Sequence, residues 1–170
     1  MWKKFAWWKW IVGYLLYLFF HQVYDILGGG TLAAILGEGI ESVYSHMKML
    51  FYAYLILSVI DFFRFRKNGL PHSFVYSRML ILAAVPWMMI IVYYAVEAVG
   101  IILPRAVDLS WALLTTAFGL YFSIRLEELL DQVEMRPALK STILIAFLAA
   151  FITYIGFSFH VPDNFFIAVD

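Results

Sequence analysis

The chain contains no cysteine. That one absence excludes disulfides, thiol catalysis, iron–sulfur clusters and cysteine zinc sites. Charge is scarce: 14% of the 170 residues are charged, where a soluble domain carries about 25%. The formal net charge is zero, so no basic excess exists to displace phosphate counterions, and nucleic acid is not an expected partner. No internal repeat or low-complexity tail is visible, which argues against an inverted-repeat transporter. The basic start runs into an apolar stretch holding Trp7, Trp8 and Trp10, with no small-residue cleavage site before Tyr24. It reads as a retained first span rather than a cleavable signal peptide.

Apolar residues fill the space that charge leaves. They make up 64% of the chain, aromatics 19%, and the mean hydropathy is +0.85. Five apolar runs cover residues 6–24, 43–63, 77–103, 109–124 and 139–159. A run of about 20 such residues crosses a hydrocarbon core. The expected fold is an all-α integral membrane protein, a five-transmembrane-helix bundle forming one domain over residues 1–170, multi-pass in the cell membrane.

Local signals place the connections. Gly28, Gly29 and Gly30 break the first helix. Residues 31–37 are too few to span, so an interfacial or re-entrant turn is expected there. Asn68, Gly69 and Pro71 make a turn, and Pro86 is expected to kink the third span. Asp108 and Ser110 are expected to cap the fourth. Asp61 is expected to pair with Arg64 or Arg66, and the acidic run 127–134 to be a solvated helix extension.

Charge then orients the bundle. Lys3, Lys4, Lys9, Arg64, Arg66, Lys67, Arg78, Arg125, Arg136 and Lys140 share one side, and only Lys48 and Arg105 fall on the other. The positive-inside rule puts the N-terminus in the cytoplasm and the C-terminus outside. His21, Glu38, Glu41, His46, Glu97, Asp108 and His160 then all lie at the outer ends of their spans. Polar groups at a membrane boundary are functional candidates by default, and helix bundles build sites from converging side chains.

The densest of these stretches runs from Gly37 to Met49 and holds Glu38, Glu41, Ser42, Ser45, His46 and Lys48. Ser42 and His46, four apart, share a helix face. Glu41 and His46 are five apart, about 140° around the axis, a poor pair for one metal on a straight helix. Several chemistries fit the residue types. His21, His46 and His160 could hold zinc, with Glu41 or Glu97 as general base beside a metal-activated water. Glu41, Ser42 and His46 could instead do metal-free acid–base or nucleophilic work. Two histidines could ligate a non-covalent haem. Each residue also has a bland reading: satisfied interfacial histidines, Glu41 as a helix-start carboxylate, and Glu38, Asp25 and Asp163 solvated.

The motif residues Ile40, Glu41, Ser42, Tyr44, Ser45, His46 and Lys48 sit between an upstream His21 and Tyr24 and a downstream Leu50-Phe51-Tyr52. This arrangement resembles an uncharacterised family of small five-span prokaryotic membrane proteins with an Asn-Glu-Ser-x-Trp-Glu-His-x-Lys motif. His160, Pro162, Phe166 and Asp170 look similar to its C-terminal tail. Ile40, Tyr44 and Ser45 replace its Asn, Trp and second Glu. The resemblance implies a five-span fold and no known activity. Ser42 and His46 also match a Ser-x-x-x-His fragment of seven-span lipid hydrolases, but a late His-x-x-x-His is absent here.

The leading expectation is an outward-facing His/Glu pocket acting as a metal-dependent or acid–base hydrolase on a lipid or amphiphile. The alternative is a non-enzymatic binding, transport or accessory subunit that uses the same residues as a structural polar network. A second copy or another membrane protein could then be its partner. A proton-coupled carrier would need a path along Thr115, Thr116 and Ser123.

Overall fold

The computed structural model describes residues 6–37, 39, 42–67 and 69–159. Six helices occupy them: α1 (Trp7–Ile26), α2 (Thr31–Leu36), α3 (Val43–Phe65), α4 (Phe74–Ala98), α5 (Arg105–Leu130) and α6 (Pro137–Gly156), with no strand among the described residues. Four of them, α3, α4, α5 and α6, are long and apolar enough to cross a membrane. The 20-residue α1 is not in that set. Its Lys9, His21, Gln22 and Asp25 dilute its apolar content.

Helix ends follow local chemistry. Gly28, Gly29 and Gly30 adopt φ of 71°, 81° and 92°, a left-handed conformation that ends α1. Ser42 starts α3, its Oγ accepting the Ser45 N–H at 3.1 Å. Gly100, at φ 81°, stops α4 five residues before the expected limit at residue 103. Its N–H reaches Glu97 O and the Ile101 N–H reaches Val96 O. Pro86 lies inside α4, which continues on both sides of it.

The fourth span starts earlier than expected. Pro104 precedes α5, so Asp108 falls within the first helical turn and is not its N-cap. Its carboxylate instead accepts the Tyr93 hydroxyl, at 3.0 and 2.9 Å. Ser110 likewise turns back to the Ala106 carbonyl.

α3 is the axle of the bundle. Two thirds of its apolar window (67%) is buried, against 17% for α6, so the other spans form a shell around it. α1, α4 and α5 each pack on α3, while α6 packs on α4. α1 runs antiparallel to α3 along its length: Lys9 meets Asp61 at one end and Tyr17 meets His46 toward the other. The shell turns apolar side chains outward, including Leu15, Ile91, Leu114, Ile145 and Ile152. Such a surface suits lipid and would be an aggregation liability in water. Close approach of helices needs small residues: a Cβ on Gly119 would lie 2.8 Å from Met89 Cγ, and one on Gly13 2.7 Å from Leu57 Cδ1.

Candidate functional site

The start of α3 gathers polar groups, as its composition suggests. His46 Nδ1 lies 2.7 Å from the hydroxyl of Tyr17, a residue with no exposure at all. The His21 ring stands beside it, with centroids 5.4 Å apart. Two of the three imidazoles proposed as ligands are thus brought together. The third, His160, lies outside the described residues, as do Glu38 and Glu41. Among the described residues no group of three His, Cys, Asp or Glu is placed to hold a metal ion.

The other described polar members of the motif hold structure. Ser42 is buried; besides capping α3, its Oγ lies 3.1 Å from Ser45 Oγ. Lys48 is only 1% exposed, and its ammonium donates to Ala34 O at 2.7 Å and Ser158 Oγ at 3.0 Å. That one side chain fastens α2 and the end of the α6 segment to α3. Tyr44 adds a second tie, donating to Thr153 O at 2.9 Å.

A cavity of about 140 Å³ opens beside His46, between α3, α4 and α5. Met47, Leu50, Pro86 and Met89 give it apolar walls, and His46, Tyr93, Asp108 and Arg105 give it polar groups. Tyr93 is fixed at both ends, its hydroxyl on Asp108 and its carbonyl accepting Trp111 Nε1 at 3.1 Å. Thr115 and Thr116 line the same cavity, and both hydroxyls donate back to Ala112 O. Ser123 donates to Gly119 O, so it too turns onto its own helix. Glu97 is exposed and lines a neighbouring depression with Tyr94 and Asp108, not the His46 cavity.

The opposite end of the bundle holds a site that composition did not single out. The Lys9 ammonium is buried and bonds Asp61 Oδ2 and both oxygens of Glu127, the Oε2 contact being 2.6 Å. Tyr54 donates to Glu127 Oε2 at 2.7 Å. Arg78 approaches Glu127 at 3.7 Å and pairs with Asp131, which also accepts from Ser77 at 2.8 Å. Asp61 therefore pairs with Lys9 and not with Arg64 or Arg66, whose guanidiniums lie over the rings of Trp8 and Phe63. Glu127 is buried, so the acidic run is not uniformly solvated.

Helical spacing carried the missed signal. Lys9 shares a stripe with Gly13, Tyr17 and Phe20, and Glu127 one with Leu120 and Ile124. Asp61 follows Tyr54, Leu57 and Ser58 on the buried face of α3. A charge on the inward stripe of an apolar helix must find a partner in the bundle.

Comparisons with protein-family models, with curated proteins and with solved structures find no match to this chain.

Proposed function

We propose that the protein is a five-span membrane protein, N-terminus in the cytoplasm, that binds a lipid or other amphiphile in the cavity beside His46. In this reading α1 is the fifth span and the cavity faces outward, at the cation-poor end of the bundle. The observation that carries it is the cavity's make-up. Apolar walls from Met47, Leu50 and Met89 meet a compact polar group of His46, Tyr93, Asp108 and Arg105. Pockets of that kind hold an apolar body and orient it by a few polar contacts. Arg105 would hold an anionic head group. His46, braced by Tyr17, would move a proton to or from it, which makes the site a candidate for acid–base hydrolysis. The zinc version adds His21 and His160 as ligands to the same imidazole. The resemblance to small five-span prokaryotic proteins belongs to this proposal and lends weight to Glu41, Ser42, His46 and Lys48 as one unit.

Native mass spectrometry of the protein released from membranes tests the binding. A retained lipid that is lost in Arg105→Ala supports it, and a wild-type chain free of lipid from every membrane tried overturns it. Turnover of fluorogenic lipid esters by wild type but not by His46→Gln would add hydrolysis. Elemental analysis without chelator decides the metal: stoichiometric zinc supports the ligand set, and its absence leaves the metal-free chemistry.

The second reading is a structural network without catalysis. It is favoured by Lys48, whose ammonium joins α2 and Ser158 to α3 and leaves the motif's one lysine committed to packing.

A further inference from the structure

The end of the bundle that carries Lys9 and Asp61 is basic overall. Of the ten cations assigned to that side, all but Lys3 and Lys4 fall on described residues, and they face five carboxylates, Asp61, Glu127, Glu128, Asp131 and Glu134. The ion pairs of Lys9, Arg78 and Arg125 use four of those five. Arg64, Arg66, Lys67, Arg136 and Lys140 pair with no carboxylate among the described residues. Three of them lie over aromatic rings instead. The Arg64 guanidinium is 5.0 Å from the ring centroid of Trp8, that of Arg66 is 4.9 Å from Phe63, and Lys140 Nζ is 5.3 Å from Tyr76. A ring takes one face of a cation and leaves its N–H groups open. The rings and cations come from α1, α3, α4 and α6, so they form a girdle around that end. Phe62, Phe63, Phe65, Val75 and Leu139, next to them in the chain, are exposed apolar side chains. Such neighbours put each cation at the boundary between acyl chains and head groups. Helix chemistry explains only part of the girdle. Cations suit the C-terminus of α3, but Arg136 and Lys140 open α6, where the dipole disfavours them and the first turn holds no acid.

We propose that the pairs Trp8 with Arg64, Phe63 with Arg66 and Tyr76 with Lys140 are seats for the phosphate groups of anionic phospholipids in the leaflet at that end. The two guanidiniums donate their free N–H edges to phosphate oxygens, and the Lys140 ammonium adds a point charge. An anionic leaflet attracts each such cation. The exposed phenyl and aliphatic side chains beside the seats lie against the acyl chains. A soluble phosphate would meet the same cations but gain nothing from those apolar neighbours, so the lipid is the occupant. The girdle is at the opposite end of the bundle from the His46 cavity and stands whether or not that cavity binds a lipid.

The test uses the full chain in nanodiscs of phosphatidylcholine, alone or mixed with phosphatidylglycerol, and reads thermal unfolding. The midpoint should rise with the phosphatidylglycerol fraction and level off as the seats fill. Arg64→Gln, Arg66→Gln and Lys140→Gln combined should lose most of that rise. Phe63→Leu with Tyr76→Leu keeps every charge and should still lose part of it, because the rings hold two of the three cations in place. Each variant is compared with its own midpoint in phosphatidylcholine, so a change in basal stability drops out. Arg105→Ala should keep the full rise, since Arg105 lines only the cavity beside His46. Glycerol phosphate added to phosphatidylcholine discs should give no rise. Equal midpoints in the two discs, a full rise in the triple or the ring variant, loss of the rise in Arg105→Ala, or the same rise from glycerol phosphate would overturn the proposal.

Discussion

Lys9 and Glu127 stand 118 positions apart in sequence, yet the ammonium and the carboxylate meet at 2.6 Å inside the bundle. Asp61 joins them from α3, so one lysine ties α1, α3 and α5 together. Removing one partner of a buried ion pair strands the other, at a cost of about 3–5 kcal/mol, whereas replacing the whole set with apolar groups of similar volume is often neutral. Lys9→Met should therefore lower the unfolding midpoint sharply. The triple variant Lys9→Met, Asp61→Leu, Glu127→Met should regain much of the loss. Thermal unfolding in detergent checks both, and a triple variant no better than the single would show that the charges do more than pair.

Lys48 should behave as a clamp on one short element. α2 has six residues, too few to be stable alone. Lys48→Met keeps the aliphatic stem but loses the donors to Ala34 O and Ser158 Oγ. Hydrogen exchange is expected to rise by about tenfold or more over residues 31–36, if each lost charged bond is worth about 1.5–3 kcal/mol. The amides of α4 and α5 should keep their protection.

Gly119 should tolerate no larger side chain. A Cβ there would sit 2.8 Å from Met89 Cγ and 3.1 Å from Leu50 Cδ2, at the crossing of α5 with α3 and α4. Gly119→Val is expected to destabilise by about 1–3 kcal/mol through overpacking. Pairing it with Met89→Ala should recover part of that loss, read as a rise in unfolding midpoint relative to Gly119→Val alone.

A chain without native cysteines makes topology simple to read. Single cysteines at Gly29 and Arg105 should react with an impermeant maleimide added to intact cells. Cysteines at Lys67 and Gln132 should react only after the membrane is opened. The reverse pattern would invert the proposed orientation, and labelling of Gly29 and Lys67 from the same side would remove the membrane crossing between α2 and the end of α3.

Much of the architecture is legible in the sequence because it depends on local rules. The glycine triplet ends α1, the second helix begins at Val43, and the piece after Gly30 is too short to span. The expected limits of α4 and α5 erred where the governing residue was a single backbone position. Gly100 stops α4 early, and Pro104 starts α5 early, which places Asp108 inside a helix and under Tyr93. Of the expected site, the approach of His46 and His21 was legible from both lying at the same end of adjacent antiparallel helices. Tyr17 was not, since nothing local marks one tyrosine among eleven as the one that meets a histidine.

The sequence by itself determined that this is a helical chain with apolar spans and no thiol chemistry, because composition and hydrophobic run length decide those properties before any contact forms. It also determined that the N-terminal end of α3 is dense in polar groups. The tertiary structure decided what each charge does. In one dimension Lys9 reads as an interfacial cation, Asp61 as a partner of Arg64 or Arg66, Glu127 as part of a solvated extension, and Lys48 as one member of a polar motif. Only the packing of α1 and α5 around α3 turns three of them into one buried cluster, and only the approach of α2 and Ser158 turns the fourth into a clamp. The physical reason is that a buried charge is tolerable only where its partner is, and partners 52 and 118 residues apart are chosen by the fold.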